Sequence, residues 1–432
     1  MGTARRRVAV VGGGFAGIDV ARGLVEALPE GWEVVLYSRE NHFVFTPLLS
    51  EVVSASVTPL HVVWPLRQMA RGAIVRTAEV VEVDVRARQI VHRGPAGLER
   101  EGYDELVLCP GLDARLDLVP GLSESAHPLK TLADAISLRN RLILQLERAE
   151  ATHSDRERAR LLSVCVIGGG FTGVETAASI AELFARCSRY YSSLATSSSR
   201  LTLVNRGDAL LQQLPARLTE AAHRSLDERG IDVRLGVGVE RLDPDGLHLD
   251  DGSVIEAGLV VSAAGSEPTA LVSNSDLPIE RGRIRVTPEM VVSGLDGVWA
   301  LGDCAAVPNA RDGRVSPPLA QFATRQATQL VRNVAGSIAG RPAAPFRYRS
   351  QGMFASLGHH DAVGQAFGLK VSGVPASILW HGIYWGKMPS VPRRVQIALD
   401  WAWSAIFPWA PVAIAGPPAR RLSGPDEPTE RS

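Results

Sequence analysis

The chain has only four cysteines among its 432 residues, Cys109, Cys165, Cys187 and Cys304. No two stand at C-x-x-C spacing, and no cluster has metal-ligand spacing, which argues against a zinc ribbon or a redox dithiol. Unpaired thiols fit a reducing compartment. Neither sign of charge is in excess, with 46 Lys+Arg against 46 Asp+Glu, so the balance does not suggest a nucleic-acid partner. Long hydrophobic runs are also lacking, and no uninterrupted apolar stretch is long enough to span a bilayer. Arg5, Arg6 and Arg7 before Val8 to Val11 look like the start of a signal peptide. That apolar run is too short and flows straight into glycines, so it reads as a buried first strand.

One pattern occurs twice. A β-branched run from Val8 to Val11 enters Gly12-Gly13-Gly14-Phe15-Ala16-Gly17, and a second from Val164 to Ile167 enters Gly168-Gly169-Gly170-Phe171-Thr172-Gly173. Each G-x-G-x-x-G opens a helical pattern, Ile18 to Leu28 and Val174 to Ala185. A second strand follows each helix, Glu33 to Tyr37 and Leu201 to Val204, and a serine-rich loop at Tyr190 to Arg200 lengthens the second crossover. Each repeat is therefore a βαβ unit of the kind that binds a dinucleotide. The first glycine allows the tight turn, the second lets backbone approach pyrophosphate, and the third lets helix and strand pack closely. The helix N-terminus supplies free N–H groups. The acid that often follows about 20 residues on is absent from both copies. Ser38, Arg39 and Glu40 stand there in the first, Asn205 and Arg206 in the second. A serine or asparagine still hydrogen-bonds a ribose hydroxyl, and Arg206 without a carboxylate favours a 2′-phosphate, hence NADPH or dual use.

Farther on, Asp296 to Asp303 reads as a strand entering a turn. Ser316-Pro317-Pro318 reads as the opening of a helix running to about Val334, with serine as cap and proline in the first turn. Arg341 to Pro345 reads as a linker. Five of the eight tryptophans fall between Trp380 and Trp409. Residues from Val391 to Phe407, with Arg393 and Arg394 leading, read as an amphipathic interfacial helix, because Asp400 and Pro408 argue against a span. The same aromatics would also suit a homodimer interface.

With these motifs together, the chain resembles the type II NADH dehydrogenases, single-subunit NAD(P)H:quinone oxidoreductases among the two-dinucleotide flavoproteins. The stretch SRENHFVFTPLL from Ser38 to Leu49 is similar to that family's, as are Pro128 to Ala135, GGGFTGVE from Gly168 to Glu175, Gly302 to Ala305 (GDCA) and Pro317 to Ala323. Cys109-Pro110-Gly111 stands where the family has A-T-G. Gln321 keeps the first glutamine of an A-Q-x-A-x-Q pattern, but Arg325 replaces the second, with Gln326 beside it. That arginine puts a fixed charge where a neutral group is expected and points toward an anionic or hydrophilic acceptor.

The resemblance implies an α/β protein with two Rossmann-like dinucleotide-binding domains, the FAD domain split by an inserted NAD(P) domain, and a C-terminal membrane-docking segment. The boundaries expected are 1–125 and 296–345 for FAD, 126–295 for NAD(P)H, 346–415 for the membrane and quinone side, and 416–432 for a disordered tail. Around FAD it implies Gly12, Gly14, Phe15, Ala16, Gly17, Ser38, Arg39, Pro47, Pro110, Gly111, Gly302, Asp303, Ala320 and Gln321. Around NAD(P)H it implies Gly168, Gly170, Phe171, Thr172, Gly173, Glu175, Asn205, Arg206 and Gly265. Asp303 would touch the FAD ribitol, Glu175 would lie beside the nicotinamide, and Gln321 and Arg325 would face the quinone. The helix at Pro317 would aim its N-terminus at the flavin and stabilise its anionic reduced form. The expected activity is hydride transfer from NADH or NADPH to FAD and then two electrons to a quinone, without proton pumping or a metal, peripherally on the cytoplasmic face of the cell membrane. Two other readings remain open: a soluble reductase of a different small acceptor, and a slowly turning flavin redox sensor. The missing dithiol argues against the glutathione-reductase and thioredoxin-reductase branches.

Overall fold

A computed structural model describes residues 5–196, 199–407 and 412–413. The tail from residue 416 onward, expected to be disordered, lies outside the described residues.

Two five-stranded parallel sheets have the same internal order. In the first, the central strand Arg6–Val11 is flanked by Trp32–Ser38 and then Ile74–Thr77 on one side, and by Glu105–Leu108 and then Val298–Ala300 on the other. In the second, Ser163–Ile167 is flanked by Arg200–Asn205 and Ile231–Leu235, and by Leu259–Ser262 and Ala126–Pro128. The central strands are buried from Val8 to Val11 and from Ser163 to Ile167, as expected of parallel strands covered on both faces. The first sheet receives its outer strand, Val298–Ala300, only after the chain has completed the second sheet.

Seven helices position the site: α1 (Phe15–Ala27), α2 (Leu49–Val53), α3 (Leu132–Ala151), α4 (Phe171–Cys187), α5 (Ala320–Ile338), α6 (Val374–Lys387) and α7 (Val391–Ile406). Helices α1 and α4 begin three residues earlier than hydrophobic periodicity alone indicates, because the helical backbone starts inside the glycine motif. A capping box at Thr131 and Asp134 starts α3. The serine-rich crossover contains a short helix, Ser192–Thr196, which loop composition did not reveal.

Helix α5 starts at Ala320 and not at Pro317. The proline pair keeps its approach extended, as does Leu319 with φ −132° and ψ 137°. Ser316 does not cap the helix. Helix α5 packs across α1, where a Cβ at Gly23 would lie 2.8 Å from Val331 Cγ2.

The stretch read as a linker, 341–345, is held in place. Buried Asn333 donates from Nδ2 to the carbonyls of Glu289 and Ala344, each at 2.9 Å, and its Oδ1 accepts from the Ala344 N–H at 3.0 Å. Beyond it, Gly352–Ser356, Ala362–Ala366 and Leu369–Ser372 form an antiparallel meander leading into α6 and α7.

Replacing Asn333 with alanine strands two carbonyls and an N–H without their partner, at a cost of about 2–4 kcal/mol. The denaturant midpoint of Asn333→Ala is expected to fall accordingly. An unchanged midpoint would show that the clasp does not hold residues 341–345.

Candidate active site

The carboxyl ends of the first sheet's strands gather five of the segments singled out in the sequence. Gly12 follows Val11, Ser38 ends its strand, Pro110 and Gly111 follow Leu108, and Gly302 and Asp303 follow Ala300. Ala320 and Gln321 open α5. Ligands of open α/β sheets bind at this edge. Gly12 has φ +118°, and a Cβ there would sit 2.2 Å from the Cys109 carbonyl oxygen. A Cβ on Gly17 would lie 1.8 Å from the carbonyl oxygen of Gly12, so helix and turn meet backbone to backbone. At Gly14, the N-cap, a Cβ would meet nothing within 4 Å, and no side chain caps the helix. The N-terminus of α1 thus opens onto free space lined by uncapped N–H groups, the shape a pyrophosphate needs.

The second turn repeats these features. Gly168 has φ +110° and abuts Ala263, a Cβ on Gly173 would lie 1.8 Å from the Gly168 oxygen, and Gly170 faces open space at an uncapped helix start. Phe171 and Thr172 form the first turn of α4. Gly265, at φ +78°, follows Leu259–Ser262 on the same edge. Both cradles therefore fit a dinucleotide.

The residues after the second strands behave differently from each other. Ser38 is buried under Gly13, whose Cβ would lie 2.4 Å from Ser38 Oγ. Arg39 is exposed, with its guanidinium 3.5 Å from Asp113. The Asn205 amide is taken up by backbone. Its Oδ1 accepts from the Gly169 N–H at 3.0 Å, and its Nδ2 donates to Gly207 and Ala209 at 2.9 and 3.1 Å. The ribose hydrogen bond expected of Asn205 would compete with these three, so its visible role is to brace the turn. Arg206 is exposed beside Gly238, against which the Asp250 carboxylate also crowds.

The Gly302–Cys304 turn is fixed from two sides. Buried Gln326 accepts the Gly302 N–H at 2.8 Å. Arg283 donates to the carbonyls of Asp303 and Ser316 at 2.9 and 3.0 Å. Burial raises the Asp303 carboxyl above its ordinary range, against the pull of Lys130 and Arg283. Cys304 is a packed thiol whose Sγ lies 3.3 Å from the Leu301 carbonyl. Pro47 sits in the one-turn helix Thr46–Leu48 that leads into α2.

Glu175, in the first turns of α4, is partly buried and accepts the Ser356 N–H at 3.1 Å. Desolvation, with the nearby Glu51 adding to it, pushes its carboxyl up to about 8. Glu51 on α2 is 8 % exposed and is likewise pushed up to about 8, mainly by burial. The Trp401 indole of α7 donates to Glu51 Oε2 at 2.7 Å, and His381 Nε2 of α6 lies 3.9 Å from Oε1. His381 Nδ1 lies 2.8 Å from the Ser377 carbonyl, which can only accept, so the neutral ring turns a bare Nε2 toward Glu51. Burial holds His381 below the usual imidazole range. Asp400 accepts from the Thr58 N–H at 3.1 Å and lies 2.6 Å from His61 Nδ1. Of this group only Glu175 was expected at the site, and Asp400 entered the sequence reading only as a charge that argues against a span. Glu51 lies just past the recognised stretch, and its partners come from far along the chain.

Gln321 Nε2 donates to the Gly352 carbonyl at 3.1 Å, while its Oε1 accepts from Tyr348 at 3.2 Å. Arg325, one turn on, holds its guanidinium 5.8 Å from the Tyr348 ring centre.

Comparison with known proteins agrees with this layout. The sequence pattern of the pyridine nucleotide-disulphide oxidoreductases matches residues 6–327, and that of the NDH2 C-terminal domain matches residues 350–408. The demethylphylloquinone reductase NdbB of Synechocystis sp. is 29% identical over 95% of this chain and 98% of its own length. The type II NADH:quinone oxidoreductase Ndh of Mycobacterium tuberculosis is 27% identical over 92% of this chain and 87% of its own. The solved NDH2 of Plasmodium falciparum in complex with NADH superposes with a TM-score of 0.88 over 94% of this chain and 100% of that one, at 18% identity, a likeness of fold. From the duplicated cradles, the matched pattern and the C-terminal module together, the chain belongs to the pyridine nucleotide-disulphide oxidoreductase family and, within it, to the type II NADH dehydrogenases.

Proposed function

We propose that the protein is an FAD-dependent NAD(P)H:quinone oxidoreductase that works peripherally on a membrane. The observation that carries this reading is the pair of open glycine cradles with Glu175 between the second cradle and the C-terminal module. Residues 1–125 and 296–345 form the FAD domain in this reading, 126–295 the NAD(P)H domain and 346–415 the membrane and quinone side. Flavin, when bound, supplies the two-electron chemistry that links a hydride donor to a quinone.

The residues then divide the work. The uncapped N–H groups at Gly14 to Gly17 hold the FAD pyrophosphate, and those at Gly170 to Gly173 hold that of the nicotinamide cofactor. Ser38, Pro110, Gly111 and Asp303 line the FAD cradle, with Arg39 and Pro47 at its border. Ala320 begins α5, so the positive helix end sits at Ala320 to Gln321, where it favours negative charge on a bound flavin. Glu175 borders the nicotinamide and, protonated near neutral pH, is a proton source for a quinone that must gain protons with electrons. Arg206, with no acid at position 205, tolerates a 2′-phosphate.

The membrane side rests on α6 and α7. Ile378 (67 % exposed), Leu399 (63 %), Trp403 (62 %) and Ile406 (74 %) leave an apolar face open to solvent, with Lys387, Arg393 and Arg394 nearby in sequence. No described helix is long and apolar enough to cross a membrane, so the face suits a headgroup region.

Three outcomes are expected. In anaerobic stopped-flow, NADH and NADPH should both reduce the bound flavin, and a short-chain quinone should reoxidise it. Arg206→Ala should raise the NADPH KM about tenfold and the NADH KM much less, and equal effects would remove Arg206 from phosphate recognition. Leu399→Asp with Trp403→Asp should abolish co-sedimentation with anionic vesicles while reduction of a water-soluble quinone persists. Retained sedimentation would place the membrane contact elsewhere.

Glu51 gives a pH signature. The unfolded chain releases this proton near the ordinary value of 4.5, whereas the folded protein keeps it to about 8. The unfolded state therefore binds fewer protons between these values. Stability is full below the lower value and falls as pH rises, until the folded carboxyl ionises. Glu51→Gln removes this slope, so its Tm should decline less than wild type's from about pH 5 to about pH 8. Parallel declines would show that Glu51 is ionised in the fold.

A further inference from the structure

Arg325 does not simply replace a glutamine with a charge, because the tyrosine it leans on, Tyr348, also lines a cavity walled by three more arginines. Lys387, in the last turn of α6, is held below the usual ammonium range by desolvation and by the charge of Arg325. Each cation leans on a tyrosine ring, Arg325 on Tyr348 at 5.8 Å and Lys387 on Tyr384 at 5.9 Å. Neither makes an ion pair among the described residues. Exposed cations that lack an acidic partner are free to receive an anionic group from solution.

The surroundings extend the same sign. Tyr348 also lines a cavity of about 480 Å³ whose other walls are Arg311, Arg347 and Arg349. Those arginines too make no ion pair among the described residues. The wall is rigid, because buried Asn309 donates to the Tyr348 carbonyl at 2.7 Å and accepts the Tyr348 N–H at 3.1 Å. The patch adjoins the chemistry on both flanks. The Tyr348 hydroxyl is bonded to Gln321, and Tyr384 lies close enough to Glu175 to feel its charge.

We propose that Arg325 and Lys387 select an electron acceptor that carries an anionic substituent, a quinone bearing a carboxylate or sulfonate, with Arg347 and Arg349 drawing it in. This rests on the quinone reductase reading and narrows its substrate class. The redox balance is that of any quinone reduction. NAD(P)H gives up a hydride, one proton comes from solvent, the quinone becomes the quinol, and NAD(P)+ leaves. The anionic substituent is unchanged and serves only for recognition. Guanidinium donors suit it, since charge-assisted hydrogen bonds to carboxylate or sulfonate are the strong ones.

The test compares kcat/KM of the flavin-loaded enzyme for naphthoquinone and for its ring-sulfonated derivative at saturating nicotinamide. The ratio of sulfonated to neutral substrate is read in wild type, Arg325→Gln, Arg325→Lys and the double variant Arg347→Ala with Arg349→Ala. Comparing ratios between proteins cancels the intrinsic reactivity of the two quinones. Arg325→Gln should lower the ratio about tenfold or more, Arg325→Lys should restore most of it, and the double variant should lower it chiefly through KM. In wild type, added salt should depress the sulfonated substrate's kcat/KM far more than the neutral one's. That measurement needs no variant to fold. Equal ratios in wild type and Arg325→Gln, with equal salt dependence for both quinones, would overturn this proposal and leave the quinone reductase reading intact. Failure of both quinones to reoxidise the flavin would overturn the two together.

Discussion

The contact between a helix's first turn and the glycine turn that precedes it governs this molecule. At Gly17 and again at Gly173, a Cβ would stand 1.8 Å from the carbonyl oxygen of the motif's first glycine. No side chain can be accommodated between two backbones at that distance. The close approach seats each helix with its N-terminus over the carboxyl edge of a parallel sheet. It leaves the second glycine of each motif facing empty space. The direction of the sheets, the convergence of five loop segments and the free N–H groups all follow from that seating.

The C-terminal module is tied to this frame by polar contacts that span long sequence distances. Trp401 and His381 meet Glu51 on α2, Asp400 meets His61, and the Ser356 N–H meets Glu175. The contacts to Glu51 come from the helices with the open apolar face, and the contact to Glu175 comes from the meander before them. Desolvation keeps both carboxyls protonated to higher pH, and the charge of Glu51 adds to the effect at Glu175. The protonation of Glu51 is therefore partly set by how α6 and α7 dock.

Much of the fold was legible because it is written locally. The glycine motifs, the β-branched runs before them and the amphipathic pattern from Val391 to Phe407 each declare an element over a few residues. The start of α5 was not legible, because Ser316-Pro317-Pro318 satisfies a capping pattern while Leu319 stays extended. The site was legible where a motif carried it, as at Gly168 to Glu175. It was hidden where pairing is long-range. Nothing near Asn205 in sequence shows that its amide would be consumed by Gly169, Gly207 and Ala209. Nothing near Arg325 shows that it would lean on Tyr348 beside three more arginines, or that Gln326 and Arg283 would pin the Gly302 turn.

The outer strand of the first sheet has a consequence for synthesis. Glu105–Leu108 leaves the ribosome long before its neighbour Val298–Ala300 exists, so the nascent first sheet carries an open edge while the second sheet is made. The second sheet suffers no such delay, since all five of its strands lie between Ala126 and Ser262. Vectorial folding thus favours completing the inserted unit first and closing the earlier one last. During that interval the unpaired edge is the segment of the chain most exposed to wrong strand partners, and the one a chaperone would have most reason to shield.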